Sequence, residues 1–197
     1  MNKTYPIIYV PNAVLKTVSS PVESLTSDIQ KQMDMMLETM HVEKGIGLAA
    51  NQVNITNRVL VMDVPEGCWE YQGEDSDGIL QIGSAHRGDK DAPTAQPLLM
   101  ANPEIVKQSE QRSVYLEGCL SLPNQFADVE RPAHVTIKYI DRDGKERTKD
   151  FSGLDSHCVQ HEIDHLNGIL FVDYLSKLKR DTLLRKLDKY KRAHSLL

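Results

Sequence analysis

Five residues, His161-Glu162-Ile163-Asp164-His165, constrain this chain more than any other stretch. They lie within a run from Ser156 to Asn167 whose apolar positions Val159, Ile163 and Leu166 recur at helical spacing. Gly168 follows, a residue suited to the left-handed position just past a helix end. The spacing therefore predicts a helix with one stripe to bury. Histidines four apart lie on one face, one turn apart. Two metal ligands on a single element need this geometry, and a glutamate beside them reaches a water at the metal. Cys158 precedes His161 by three residues and faces roughly the same way. The bland alternative is an inert pair of core histidines.

Two imidazoles leave a divalent metal short of a third protein ligand. No glutamate follows His165, so the downstream candidates are Asp173, Asp181, Asp188 and His194. The last three sit on a strongly basic segment, a poor fit to a metalloprotease. A better source lies upstream in Glu117-Gly-Cys-Leu-Ser121, at the end of a predicted strand. A thiolate and two imidazoles with one open position would hold a reactive water. The cysteines number three, Cys68, Cys119 and Cys158, which does not suggest a disulfide framework.

The rest of the chain reads as α+β: short, mostly antiparallel strands around the central helix, with a further helix at the C-terminus. A first helix is predicted over Ser27–Val42, with N-cap chemistry at Ser27 and Asp28 and Ile29, Met33, Leu37 and Met40 at helical spacing. Strands are predicted at Arg58–Val64, Leu98–Asn102, Arg112–Leu116 and His134–Asp141, the last turning at Asp143-Gly144 into Lys145–Phe151. Residues 66–97 carry seven acids, two bases and five glycines. They read as a solvated, mobile acidic loop insertion pinned by Trp69 and Tyr71. A last helix is predicted over Lys177–His194. The whole, 1–197, is expected to be one domain. Net charge is −5 at pH 7, which disfavours a DNA-binding protein. No apolar run spans a bilayer and Met1–Val10 does not resemble a signal peptide, so a cytoplasmic, membrane-free protein is expected.

Three segments taken together resemble the peptide deformylase family: Gly45-Ile-Gly-Leu-Ala-Ala-Asn-Gln52, Glu117-Gly-Cys-Leu-Ser121 and Gln160-His-Glu-Ile-Asp-His165. They stand in the family's order, and the resemblance runs over nearly the whole chain. It implies a metallohydrolase that removes the N-formyl group from the N-terminal methionine of nascent polypeptides and releases formate. Cys119, His161 and His165 would bind one divalent metal. In the family this is typically ferrous iron, with zinc, nickel or cobalt able to occupy the site. Glu162 would be the general acid/base, and Gln52 with the backbone N–H of Leu120 would hold the formyl oxygen.

The peptide is expected to add as a strand between the Gly45–Gln52 loop and the Cys119–Ser121 edge, against Ile46, Gly47, Glu117 and Gly118. Ile46, Cys158 and His161 match pocket-wall positions. Glu117 and Arg131 match a structural ion pair. The chain departs from the family at the long 66–97 segment and at Phe126, where related bacterial enzymes often have Arg. Asn51 sits at a variable position and carries no signal.

Lys177–His194 holds eight bases and two acids. The resemblance implies docking of this tail, 177–197, near the ribosomal tunnel exit by a monomer; the alternative is a solvated face. Rival readings of the whole chain are a zinc endopeptidase, a ribosome-associated binding module with a relict metal, and a blue-copper carrier. The glutamate beside the paired histidines favours hydrolysis.

Overall fold

The computed structural model describes residues 4–65, 69–84 and 96–196. Helix α1 spans Ser27–Val42, as its apolar spacing predicts; its N-cap is Thr26, whose hydroxyl accepts from the Ile29 N–H, rather than Ser27 or Asp28. The Gly45–Gln52 segment is not a plain loop. Gly47–Ala49 form a short strand, β1, and Ala50–Val53 a 3-10 turn. Strand β2 is Val59–Met62, all four residues buried. Its side chains alternate: Val59 and Val61 join Met33, Met36 and Met40 of α1, while Leu60 and Met62 face the opposite cluster. Met33, Met36 and Met40 are thus core filling.

The remaining strands are β3 Trp69–Glu74, β4 Leu80–Ser84, β5 Leu98–Gln108, β6 Arg112–Cys119, β7 Leu122–Pro132, β8 His134–Ile140 and β9 Glu146–Ser152. Among the described residues they form one sheet ordered β1-β2-β5-β8-β9 and a second ordered β3-β4-β6-β7. All neighbours are antiparallel except β4 and β6, which are parallel. Helix α2, Gly153–Leu166, lies between the sheets and packs on β1, β2 and β9 of one and β3, β6 and β7 of the other. Its position gives a mixed α+β fold built around the HExxH helix. Gly168 sits past its end at φ +72°, with the Lys16 carbonyl 2.5 Å from where a Cβ would stand. Helix α3, Lys177–Ala193, closes over β7.

The acidic segment departs from expectation. Far from being a loop throughout, it contributes β3 and β4, joined by a turn in which Asp75 Oδ1 accepts from the N–H groups of Asp77 and Ile79 and Gly78 takes φ +76°. The charged residues of the hairpin hid its pairing, since Leu80↔Ser113 and Gln81↔Val114 align it on β6 through the backbone. Tyr71 does pin it: its hydroxyl accepts from the Gly153 N–H at 3.1 Å, at the start of α2. The side chain of Trp69, and residues 66–68 and 85–95, lie outside the described residues.

Candidate active site

Twelve of the fourteen residues of α2 are buried, among them Ser156, His157, Gln160, His161, Glu162 and His165. A buried helix this polar holds its place only if most of its groups find partners. Gln160 Nε2 donates to the Pro132 carbonyl at 3.0 Å and to Ser156 Oγ at 2.9 Å, fixing α2 against the end of β7. The sulfur and the two imidazoles then meet. Cys119 ends β6, and its Sγ lies 3.2 Å from His165 Nε2. One ligand atom from each of Cys119, His161 and His165 falls within 4.8 Å of the others. Metal–ligand bonds of about 2.0–2.3 Å put neighbouring donors of a tetrahedral site roughly 3.5 Å apart, so the cluster suits one ion. The donor set is also chemically apt, since thiolate with imidazole favours zinc or ferrous iron over calcium or magnesium. Asp173 is paired instead with Lys16, and Asp181 with Lys177, which removes two downstream candidates.

Electrostatics reinforce the arrangement. Burial alone would depress His161, but the Cys119 sulfur and Glu117 carboxylate outweigh it and hold this imidazole well above its ordinary range. Burial and the neighbouring His161 charge push His165 well below it. The two imidazoles are thus pushed in opposite directions, in a place where a cation would find a sulfur and two nitrogens. Burial raises the Glu162 carboxyl to about 7. Its Oε2 is buried with no protein partner among the described residues. Gly47 is what makes room for it: a Cβ there would stand 2.3 Å from Glu162 Oε1 and 2.9 Å from Cys158 Sγ.

Glu117 links the ligand set to the core. Arg131 Nε and Nη2 donate to its two oxygens at 2.5 and 3.0 Å, so the expected ion pair forms, with both side chains 4% exposed. The remaining guanidinium nitrogen donates to Asp164 Oδ2 at 2.7 Å, which also accepts from the Tyr174 hydroxyl. His161 Nδ1 donates to Glu117 Oε2 at 2.8 Å, leaving Nε2 for the site. Burial opposes ionisation of Glu117, but Arg131 and the two imidazole donors hold its carboxyl well below the usual range.

Gln52 is oriented by the Ala49 N–H, which donates to its Oε1 at 2.8 Å, so that Nε2 points to Cys119 Sγ at 3.4 Å and Ser121 Oγ at 3.3 Å. Leu120 follows the end of β6 and packs on the cluster shared by α1 and β1. Cys158 Sγ contacts the Ile46 carbonyl at 3.4 Å, which puts both beside Gly47. Gly118 lies opposite Phe126 in register, and a Cβ on it would stand 2.6 Å from the Phe126 ring.

Sequence reasoning missed several residues. Asn51, read as uninformative, is fully buried, and its Nδ2 donates to the His165 carbonyl. His157 and Ser113 extend the Glu117 network, and Asp164 caps Arg131. The signal for His157 was present: it stands four residues before His161, on the same helical face.

The sequence pattern of the family described as Polypeptide deformylase matches residues 4–181. The chain belongs to this family. A peptide deformylase of Rhizobium meliloti (strain 1021) is 47% identical over 93% of this chain and 92% of its own. The crystal structure of peptide deformylase from Ehrlichia chaffeensis matches with a TM-score of 0.80 at 37% identity, covering 98% of this chain and 99% of that one. The same protein in complex with actinonin gives a TM-score of 0.80 at 38% identity over 96% and 98% of the two chains. Peptide deformylase membership makes the chain a hydrolase of protein biosynthesis. Among its described residues no helix is long and apolar enough to cross a membrane.

Proposed function

We infer that the chain removes the formyl group from the N-terminal methionine of nascent polypeptides, with one metal ion held by Cys119, His161 and His165. The convergence of these three side chains beside a buried Glu162 carboxyl, whose Oε2 has no protein partner among the described residues, carries the reading. When bound, the metal acidifies a water and polarises the formyl oxygen. Glu162 would take a proton from the attacking water as the water oxygen bonds to the formyl carbon. Charge grows on the formyl oxygen, and the Gln52 amide and the Leu120 N–H donate to it. Glu162 then gives the proton to the departing nitrogen as the C–N bond breaks, leaving formate and a free amine. A carboxyl poised near neutrality suits both transfers. The peptide lies as an added strand between β1 and the Cys119–Ser121 edge, bordered by Ile46, Gly47, Glu117, Gly118 and Cys158. Ferrous iron is the metal we assign in the cell, with zinc, nickel or cobalt able to replace it.

The test is formate release from a formyl-methionyl peptide. The reading expects release that a chelator abolishes and added metal restores, and no cleavage of internal peptide bonds. Internal cleavage without formate would overturn it.

We further propose that the protein works in the cytoplasm, as a monomer at the ribosome near the tunnel exit. Helix α3 supplies the surface: Lys186, Lys189 and Arg192 are exposed, while Leu183 and Leu187 are buried in the cluster around Phe171. Deleting 177–197 would therefore damage the core as well as the charge. Reversing these three charges, which stand among further exposed bases of α3, separates the two. Ribosome binding is expected to weaken about tenfold or more, with a shallower salt dependence, while formate release from a free peptide stays unchanged. Undiminished ribosome binding would exclude the face of Lys186, Lys189 and Arg192 as the contact.

A further inference from the structure

Helix α2 carries three histidines at successive turns, His157, His161 and His165, and the metal account uses only two. His157 is 1% exposed. Its Nδ1 lies 3.1 Å from Glu117 Oε1, and its Nε2 lies 2.9 Å from the hydroxyl of Ser113, itself fully buried on β6. An ionised carboxylate only accepts, so Nδ1 carries a hydrogen, and in the neutral ring Nε2 accepts from Ser113. The same logic puts the Nδ1 hydrogen of His161 on Glu117 Oε2. Glu117 thus receives four N–H groups: two from Arg131, one from His157 and one from His161. A carboxylate offers about four lone-pair directions, so its capacity is filled.

The donors come from two sides. The Arg131 fork approaches from β7 and touches both oxygens. The imidazoles approach from α2, one on each oxygen. We propose that His157 is a positioning residue for the metal site: by occupying Glu117 Oε1 it stops the carboxylate from pivoting on the Arg131 fork, and so fixes the ring of His161 with Nε2 toward the metal. Ser113 holds the far end and sets the His157 tautomer. This rests on the reading that His161 is a ligand. Groups that hold a ligand directly, as Glu117 holds His161, typically change metal affinity by about 10–100-fold when lost, and His157 acts by keeping Glu117 in that position.

The amide isosteres supply the test. The nitrogen of asparagine falls where Nδ1 stands and keeps the bond to Glu117; that of glutamine falls where Nε2 stands and keeps only Ser113. Protein loaded with zinc is mixed with excess chelator, and release is followed with a metal-sensitive dye, alongside thermal unfolding of each variant. His157→Leu and His157→Gln are expected to release zinc about 10–100-fold faster than the parent, and His157→Asn within about threefold of it. Release at the parental rate from all three would overturn the proposal. So would an asparagine variant as leaky as the leucine one, which would reduce His157 to packing. A parent that retains no zinc would instead sink the ligand assignment itself.

Discussion

Glu162→Gln is expected to lower formate release by about 10²–10⁴-fold while the protein keeps its metal and its fold. The substitution preserves shape and removes only the proton-carrying group. Glu162 is not one of the three converging ligand residues, so metal content is not expected to change. Stability is expected to hold or rise, because a carboxyl that is 4% exposed with an unpartnered oxygen contributes desolvation cost to the folded state. The pairing of lost turnover with undiminished stability marks a group kept for chemistry. Formate release, metal content and urea unfolding, measured on one preparation, check it. Turnover within a few-fold of the parent would remove Glu162 from the mechanism.

Arg131→Met is expected to cost about 3–5 kcal/mol in urea unfolding. It would leave Glu117 buried with the two imidazole donors alone and take from Asp164 its cation, 2.7 Å away. The damage would reach the site, since Glu117 orients His161. Adding Glu117→Gln should recover part of the loss, because the uncompensated charge goes with it. A cost under about 1 kcal/mol would mean that the pair behaves as an exposed one.

The parts of the molecule readable in sequence are those where local spacing and packing agree. Helix α1 has a regular apolar stripe, and its observed ends match the predicted ones. The β8–β9 hairpin was legible in Asp143-Gly144, where Gly144 takes φ +81°. Strand β7 was missed because the positions buried on the face of Val129 include the polar Gln125 and Arg131, the latter buried to hold Glu117, so no apolar alternation shows. Strand β5 runs past Asn102 to Gln108 through Pro103 and a bulge, held by pairs such as Ile105↔Ile137 that only the tertiary fold supplies. The acidic hairpin was hidden for the same reason. At the site, Cys119, His161, His165 and Glu162 were legible because metal chemistry restricts residue type and spacing. The groups behind them were not. Ser113, Asp164 and Asn51 act through hydrogen bonds between residues distant in the chain, and no local pattern announces such bonds; His157 alone was marked, by its place one turn before His161.

The most direct measurement is the X-ray absorption spectrum of the metal-loaded protein at the metal edge, compared with that of Cys119→Ala. The account predicts one sulfur and two imidazole nitrogens around the ion in the parent, and no sulfur in the variant. A parental spectrum with oxygen and nitrogen alone, or one that Cys119→Ala leaves unchanged, would contradict it.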